Sequence, residues 1–199
     1  MLKKTGVNRF IGFGVILLSL SLGATGLKTV WAEDNDEYEV SDVLLKALPL
    51  SKHTLADGIG QVTKGTETAI SAKFEMDDKG KLSLSVYTAE KGLTQDAEHN
   101  TFKEISGSSD TEAWNPETEI IKEGEDLENA KEQLKVLSTA KFSLLDFIAK
   151  AEKDQPGTVL SIMPEFEDGK NVCELRILSQ GKIVEIHYDV VTGEKANMD

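Results

Sequence analysis

The sequence predicts an α+β fold of two tandem units, each a helix pair packed on a three-stranded antiparallel sheet. Three observations predict it: an internal repeat at a spacing of 89 residues, a helix-start signature found once in each copy, and alternating apolar strands joined by short turns. Short links require antiparallel pairing, and helices on one face of such a sheet form an α+β layer.

The repeat aligns residues 44–64 with residues 133–153 without a gap. A repeat is identified before any single element is assigned, because it defines the folding unit. The repeat therefore predicts architecture and no chemistry. The identical pairs are Leu45/Leu134, Lys46/Lys135, Leu48/Leu137, Lys52/Lys141, Leu55/Leu144, Asp57/Asp146, Ile59/Ile148, Lys64/Lys153, Gly80/Gly169 and Lys81/Lys170.

Residues 1–32 are typical of a secretory signal peptide. A basic head precedes an apolar run, and small residues lead to an expected cleavage after Ala32. An uncleaved anchor is the alternative, because residues 10–27 reach the lower end of a spanning length of roughly 17–25 residues. Residues 33–38 are expected to form a flexible acidic lead. We therefore expect a periplasmic or secreted protein without stable membrane insertion after cleavage.

The expected mature part is strongly acidic. Of the 22 basic residues four lie in residues 1–32, which leaves 18 against 35 acidic residues, a net charge of −17. Such a surface repels nucleic-acid phosphates, so no nucleic-acid partner is expected. Cys173 is the only cysteine, so no disulfide forms within the chain. Units this small lie near the lower limit of independent stability, so we expect the two to support each other.

The first unit is predicted over residues 39–107. A short helix from Asp42 ends at Pro49, and a second helix starts at Thr54 with a capping box to Asp57. Alternation and turn residues predict the strands that follow, the last of them over residues 101–105. The positions expected to be buried include Leu55, Ile59, Val62, Ile70, Ala72, Phe74 and the strand anchor Phe102.

The second unit is predicted over residues 125–199, after a polar linker at 108–124 that contains an exposed-looking Trp114. Residues 125–137 have helical apolar spacing, and Ser143 with Asp146 repeats the capping box. Three strands follow, with turns at Glu167-Asp-Gly-Lys170 and Ser179-Gln-Gly181. The apolar face of these strands is expected to include Cys173, Leu175, Ile177, Val184, Ile186 and Tyr188.

The second unit resembles a PepSY domain. The resemblance lies in the helix Ser143-Leu-Leu-Asp-Phe-Ile-Ala-Lys-Ala-Glu152, the Glu167-Asp-Gly-Lys170 hairpin with Cys173-Glu-Leu175, and above all the closing turn Tyr188-Asp-Val-Val-Thr-Gly-Glu194. Cys173 stands where the family usually has an aromatic residue. Residues 39–107 look like a degenerate second copy that lacks the closing turn. The tandem plan is also similar in topology to β-lactamase inhibitor proteins.

The resemblance implies a non-enzymatic binding module that inhibits or modulates an envelope peptidase. Fold analogy does not transfer function, and the family supplies no catalytic residues. The alternative is an envelope protein that senses a small molecule or an ion. Candidate partner contacts are Trp114, Phe102, Asp189 and Thr192, although Asp189 and Thr192 are more simply residues that hydrogen-bond within a turn.

No constellation for catalysis, cofactor binding or metal binding is recognised in the sequence. His53, His99 and His187 lie on three separate elements without the close ligand spacing of a zinc site. His187 is expected to face solvent, because it alternates with Ile186 and Tyr188. Cys173 is interpreted as a buried, inert thiol. We therefore expect no enzyme activity, no cofactor and no metal.

Overall fold

The structure, a computed structural model, describes residues 40–198. The predicted signal peptide at 1–32 and lead at 33–38 lie outside these residues. No helix in the described part is long and apolar enough to cross a membrane. The described helices are α1 (Asp42–Ala47), α2 (Leu55–Val62), α3 (Glu125–Leu137) and α4 (Leu144–Asp154).

The strands form a single antiparallel sheet of seven strands in the order β4-β3-β2-β1-β5-β6-β7. The prediction of two units with separate three-stranded sheets is therefore wrong, although the α+β class is compatible with what is observed. The strands are β1 (Thr68–Met76), β2 (Leu82–Ala89), β3 (Phe102–Ser108), β4 (Glu117–Ile121), β5 (Thr158–Glu167), β6 (Lys170–Ser179) and β7 (Lys182–Asp189).

The two halves join through the first strand of each copy. In the β1–β5 ladder Ala72 lies opposite Ile162, and Lys73 lies opposite Ser161. Both strands have a register irregularity at matching places, before Ser71 and before Ser161. Ala72 and Ile162 are therefore equivalent positions, and the repeat is related by an approximate twofold axis through this pair. Pairing of β1 with β5 covers one sheet edge in each half, and both edges would be open if the two sheets were separate.

Helices α2 and α4 cover one face of the sheet. Each begins with the predicted capping box, in which Asp57 accepts from the Thr54 amide at 2.8 Å and Asp146 from the Ser143 amide at 2.8 Å. Both predictions are confirmed. The apolar side chains between these helices and the sheet are almost fully buried: Leu55, Ile59, Leu144, Phe147 and Ile148 on the helices, and Phe74, Leu84, Val86, Ile162, Leu175, Ile177 and Tyr188 on the strands.

The two helices approach the sheet by different means. A Cβ atom at Gly58 would come within 2.7 Å of the Leu84 side chain, so the absent side chain lets α2 lie close. The matching position in α4 is Phe147, whose ring stacks on Tyr188 with 6.0 Å between ring centroids. Glycine permits such close approach, whereas an aromatic ring fills a larger space.

Residues 108–124, expected to be a linker, contain β4, which pairs with β3. The return of the chain buries Trp114, whose side chain is only 4% exposed and whose Nε1 donates to the Gly107 carbonyl at 3.2 Å. Gln61 on α2 donates to the Trp114 carbonyl at 2.9 Å. The expectation that Trp114 is exposed is therefore wrong, because its indole is buried and this residue is hydrogen-bonded to both β3 and α2.

Candidate functional site

The sequence-predicted contact residues are structural. Phe102 is 2% exposed and Trp114 is buried with it in the core. Asp189 accepts from the Val191 amide at 2.9 Å and from the Thr192 amide at 2.7 Å. These turn bonds, first that of Thr192, lower the pKa of Asp189. All four side chains thus stabilise the fold, and the structure does not bring them together.

The structure brings together a different group on the second half of the sheet. His187 lies directly opposite Glu174 in the β6–β7 ladder, and Glu185 lies opposite Arg176. Because side chains alternate along a strand, this group points away from the face that carries Tyr188 and helix α4. We call it the carboxylate–histidine cluster; its members are Glu165 and Glu167 on β5, Glu174 and Arg176 on β6, and Glu185 and His187 on β7.

The Nε2 atom of His187 lies at the centre of this cluster. Its imidazole is only 9% exposed, and the Glu174 side chain is 7% exposed. The outer carboxylates are about one-third to one-half exposed, which leaves the centre reachable from solvent. From Nε2 the distances are 3.2 Å to Glu167 Oε2, 3.5 Å to Glu165 Oε1, 3.7 Å to Glu185 Oε1 and 3.8 Å to Glu174 Oε2.

Arg176 supplies positive charge from one side. Its Nε lies 3.0 Å from Glu174 Oε1 and 3.2 Å from Glu185 Oε2. Desolvation, with the charge of Glu165, raises the pKa of Glu174 to about 7 in spite of this guanidinium. The Glu165 carboxylate, followed by the charges of Glu174 and Glu167, raises the pKa of His187, while burial acts against it. Both pKa values are raised in part by the negative charge gathered at this point.

The expectation that His187 faces solvent is wrong, because carboxylates from β5, β6 and β7 surround its imidazole. Ligand spacing of three to five residues within one element cannot reveal this cluster, because strand pairing joins residues that are far apart in the chain. The signal was available in the two predicted turns. A turn at 167–170 sets Met163 opposite Glu174, and a turn at 179–182 sets Glu174 opposite His187.

A second charged surface lies at the far end of the sheet, along β4. A groove of about 600 Å³ runs beside this strand. Burial, with the charge of Glu75, raises the pKa of Glu104 in its wall. Four acids and one lysine line the groove, so it is strongly acidic. The lining residues are Glu104, Thr118, Glu119, Ile120, Ile121, Lys122, Glu123 and Asp126.

A third concavity, of about 670 Å³, lies between the β2–β3 connection and helix α3. The connection is held in shape by Asp96, which accepts from the His99 amide at 3.0 Å, and by Asn100, whose Nδ2 donates to the Gly92 carbonyl at 2.9 Å. The wall of this concavity carries both charges, four acids and two lysines, and Glu128 pairs with Lys131 at 2.9 Å.

Cys173 is buried on the helix-covered face, as predicted. Burial, with the charges of Glu165 and Glu174, raises the pKa of its thiol well above the ordinary value. A thiol held in its neutral form is a poor nucleophile and a poor metal ligand. Cys173 therefore packs the core and takes no part in the cluster on the opposite face.

Comparison with known proteins yields little. The chain matches no protein-family model and no curated protein. A crystal structure of a "putative lipoprotein" from Clostridium difficile 630 is similar over 74% of this chain and 92% of that chain, at 17% sequence identity and a TM-score of 0.39. A likeness at this level supports no conclusion about fold or function.

Proposed function

We propose that the chain is a secreted or periplasmic, non-enzymatic binding module of the PepSY type, and that its partner is a protein. An envelope peptidase is the partner class that the resemblance implies. The observation that carries this proposal is the outer side of β4, which pairs with no other strand among residues 40–198. Terminal strands present unpaired backbone groups, and an extended segment of another protein can add to them as a further strand.

The two ends of the sheet differ in their access. At the β7 end the following chain folds back, with a bridge between Tyr188 and Lys195 and a bond from the Ala196 amide to the His187 carbonyl at 2.9 Å. At the other end no described strand pairs with the outer side of β4, and most of β4 is exposed. Docking by strand addition is therefore proposed at β4, because the returning chain already occupies part of the outer side of β7.

Charge selects the kind of segment that fits. Glu117 and Glu119 lie on β4 itself, and Glu123 and Asp126 line the same groove. A second copy of this chain would bring the same acids against them, and like charges on paired strands are destabilising. An extended segment with alternating Lys or Arg side chains would meet opposite charges instead. Ile120, 50% exposed, offers an apolar contact on the other face of β4.

The proposal is tested with an extended probe peptide of about ten residues that alternates Lys and Thr. Binding to the full chain is measured by fluorescence anisotropy at roughly 150 mM salt, where charges more than about 8 Å apart are screened. The variant is Glu117→Lys with Glu119→Lys. The control is Glu132→Lys with Glu152→Lys, exposed acids on α3 and α4 that change the net charge equally.

We expect the β4 variant to weaken peptide binding at least tenfold and the control to change it less than about twofold, because only the β4 acids contact the added strand. Backbone amide shifts in NMR should move along 117–121. Equal weakening by both variants would reduce the effect to net charge and contradict docking at β4. Inhibition of a secreted peptidase that the β4 variant loses would identify the partner class.

A second candidate function, ion sensing in the envelope, is favoured by the carboxylate–histidine cluster. The cluster lies on β5, β6 and β7, and β4 is at the opposite end of the strand order. The two surfaces are therefore independent, and the β4 variant should leave the cluster unchanged.

A further inference from the structure

The carboxylate–histidine cluster contains more negative charge than it neutralises. Four carboxylates surround the centre, and within the cluster Arg176 is the one permanent cation. With His187 protonated and all four acids ionised, two negative charges remain, and the pKa of about 7 for Glu174 means that a proton balances part of this charge near neutral pH. Removing ionised groups from water is costly unless opposite charge is close. A divalent cation supplies the missing charge in one step.

The polar atoms at the centre lack hydrogen-bond partners. The buried atoms without one include Glu165 Oε1, Glu167 Oε2, Glu174 Oε1 and His187 Nε2. Glu165 Oε1 and Glu167 Oε2 lie within salt-bridge distance of His187 Nε2, and Glu174 Oε1 lies within salt-bridge distance of Arg176 Nε. None of these pairs has the geometry of a hydrogen bond. Buried polar atoms are nearly always hydrogen-bonded, so a concentration of unpaired ones at a single point calls for a bound group.

The donor spacing suits a metal ion. One atom each from Glu165, Glu174 and His187 lies within 4.8 Å of the others. Ligands at about 2.1 Å from a common ion are at most roughly 4.2 Å apart, so small side-chain movements bring all three into bonding distance. Glu167 lies beside them and could take a further position, and water can reach the half-exposed rim.

We propose that Glu165, Glu174 and His187 form a binding site for a divalent first-row transition-metal ion of the Zn²⁺ class. An imidazole nitrogen with carboxylate oxygens and no thiolate suits Zn²⁺ and its neighbours, whereas Ca²⁺ and Mg²⁺ prefer oxygen ligands alone. Arg176 holds one oxygen of Glu174 and one of Glu185, and so orients the carboxylates as outer-shell partners do. His187 must be neutral to bind, so the metal displaces a proton.

The proposal is independent of the β4 surface and has its own test. Zn²⁺ is titrated into the full chain by isothermal calorimetry, and the thermal midpoint is measured with and without the ion. The variants are Glu165→Gln, which preserves the shape of a side chain that is about one-third exposed, and His187→Gln. The controls are His53→Gln, His99→Gln and Glu152→Gln, because exposed histidines and acids bind Zn²⁺ weakly by themselves.

We expect one equivalent of Zn²⁺ to bind, and each cluster variant to weaken it by at least about tenfold. The three controls should change affinity less than about twofold. Ca²⁺ at the same concentration should not raise the thermal midpoint. A ¹¹³Cd NMR resonance in the range of nitrogen and oxygen ligands, lost in Glu165→Gln, would support the ligand set directly even if His187→Gln fails to fold.

Three results would overturn the proposal. One is the absence of stoichiometric binding to the unmodified chain. Another is an affinity that Glu165→Gln and a folded His187→Gln both leave unchanged. The third is preference for Ca²⁺ over Zn²⁺, which would remove the imidazole from the site. In the first case the protonated His187 would itself be the cation that the carboxylates hold.

Discussion

The two halves of the sheet use one backbone for two different polar surfaces. Across the approximate twofold axis, Glu75 corresponds to Glu165, and Ser85 corresponds to Glu174. In the first half Glu75 accepts a hydrogen bond from Ser85 and lies 2.9 Å from the Lys73 amine. Glu75 therefore has both a hydroxyl donor and a cation beside it, so its charge is neutralised within the first half.

The second half has the opposite balance. Met163 stands at the position of Lys73, and Glu174 stands where the other copy has a hydroxyl donor. Glu165 and Glu174 therefore add to the charge around His187, and their unpaired atoms remain. The two copies therefore share their core and their caps. Their outward-facing positions differ: they form an ion-paired polar surface in the first half and a candidate binding centre in the second.

The largest expected effect is in the core, where α2 and α4 approach the sheet by different means. Phe147→Ala on α4 should destabilise the protein by about 4 kcal/mol, because it removes a ring that is 1% exposed. The matched change Gly58→Ala on α2 should cost only about 1 kcal/mol, since overpacking against Leu84 is partly offset by better helix propensity. Urea unfolding measures both. A larger loss for Gly58→Ala would contradict the different helix approaches.

A smaller loss of stability is expected when the cation on the polar face of either half is removed. Arg176→Met should cost about 3 kcal/mol, because it leaves the buried Glu174 without its guanidinium. Lys73→Met, which removes the corresponding pairing of Glu75 in the first half, should cost about 1 kcal/mol or less, since that pair is more exposed. Urea unfolding at neutral pH compares them. Equal losses would show that the two faces depend on their cations to the same extent.

Local devices were predictable from the sequence, because their partners lie within a few residues. Thr54 with Asp57, Ser143 with Asp146 and the hairpin turn at Gly169 are all confirmed. The joining of the halves was missed because Ala72 and Ile162 are far apart in the chain and nothing local marks their pairing. Residues 117–121 were missed as a strand because an exposed edge strand has no apolar face to show alternation.

The candidate site was missed although the turns on either side of β6 were predicted. Both turns that set its register were predicted, and continuing the pairing from them would have placed Glu174 beside His187. Their burial could not be foreseen, because it depends on side chains from three strands that meet only in the folded sheet. Trp114 was misjudged for a similar reason: its polar surroundings in the sequence suggested exposure, while the return of β4 along the sheet buries it.

The smallest expected effect concerns the caps, where the two halves are alike. Hydrogen bonds from Thr54 lower the pKa of Asp57, and those from Ser143 lower the pKa of Asp146. Carboxyls with a lowered folded-state pKa stabilise the fold above their ordinary pKa of about 3.9, and this contribution disappears as pH falls through the folded-state value. Both caps should therefore weaken together in acid.

Ser143→Ala and Thr54→Ala should each cost about 1 kcal/mol at pH 7, the usual effect of losing a cap. Urea unfolding near pH 7 and near pH 3 measures the gap between each variant and the unmodified chain, and we expect both gaps to narrow in acid. The reason is that each substitution removes a hydroxyl that donates to the carboxylate, Thr54 to Asp57 at 2.8 Å and Ser143 to Asp146 at 2.7 Å, and this bond weakens in the unmodified chain once the carboxylate is protonated. A gap that stays constant for one helix alone would show that its carboxylate contributes nothing to the cap, and would make the caps a further point at which the two copies have diverged.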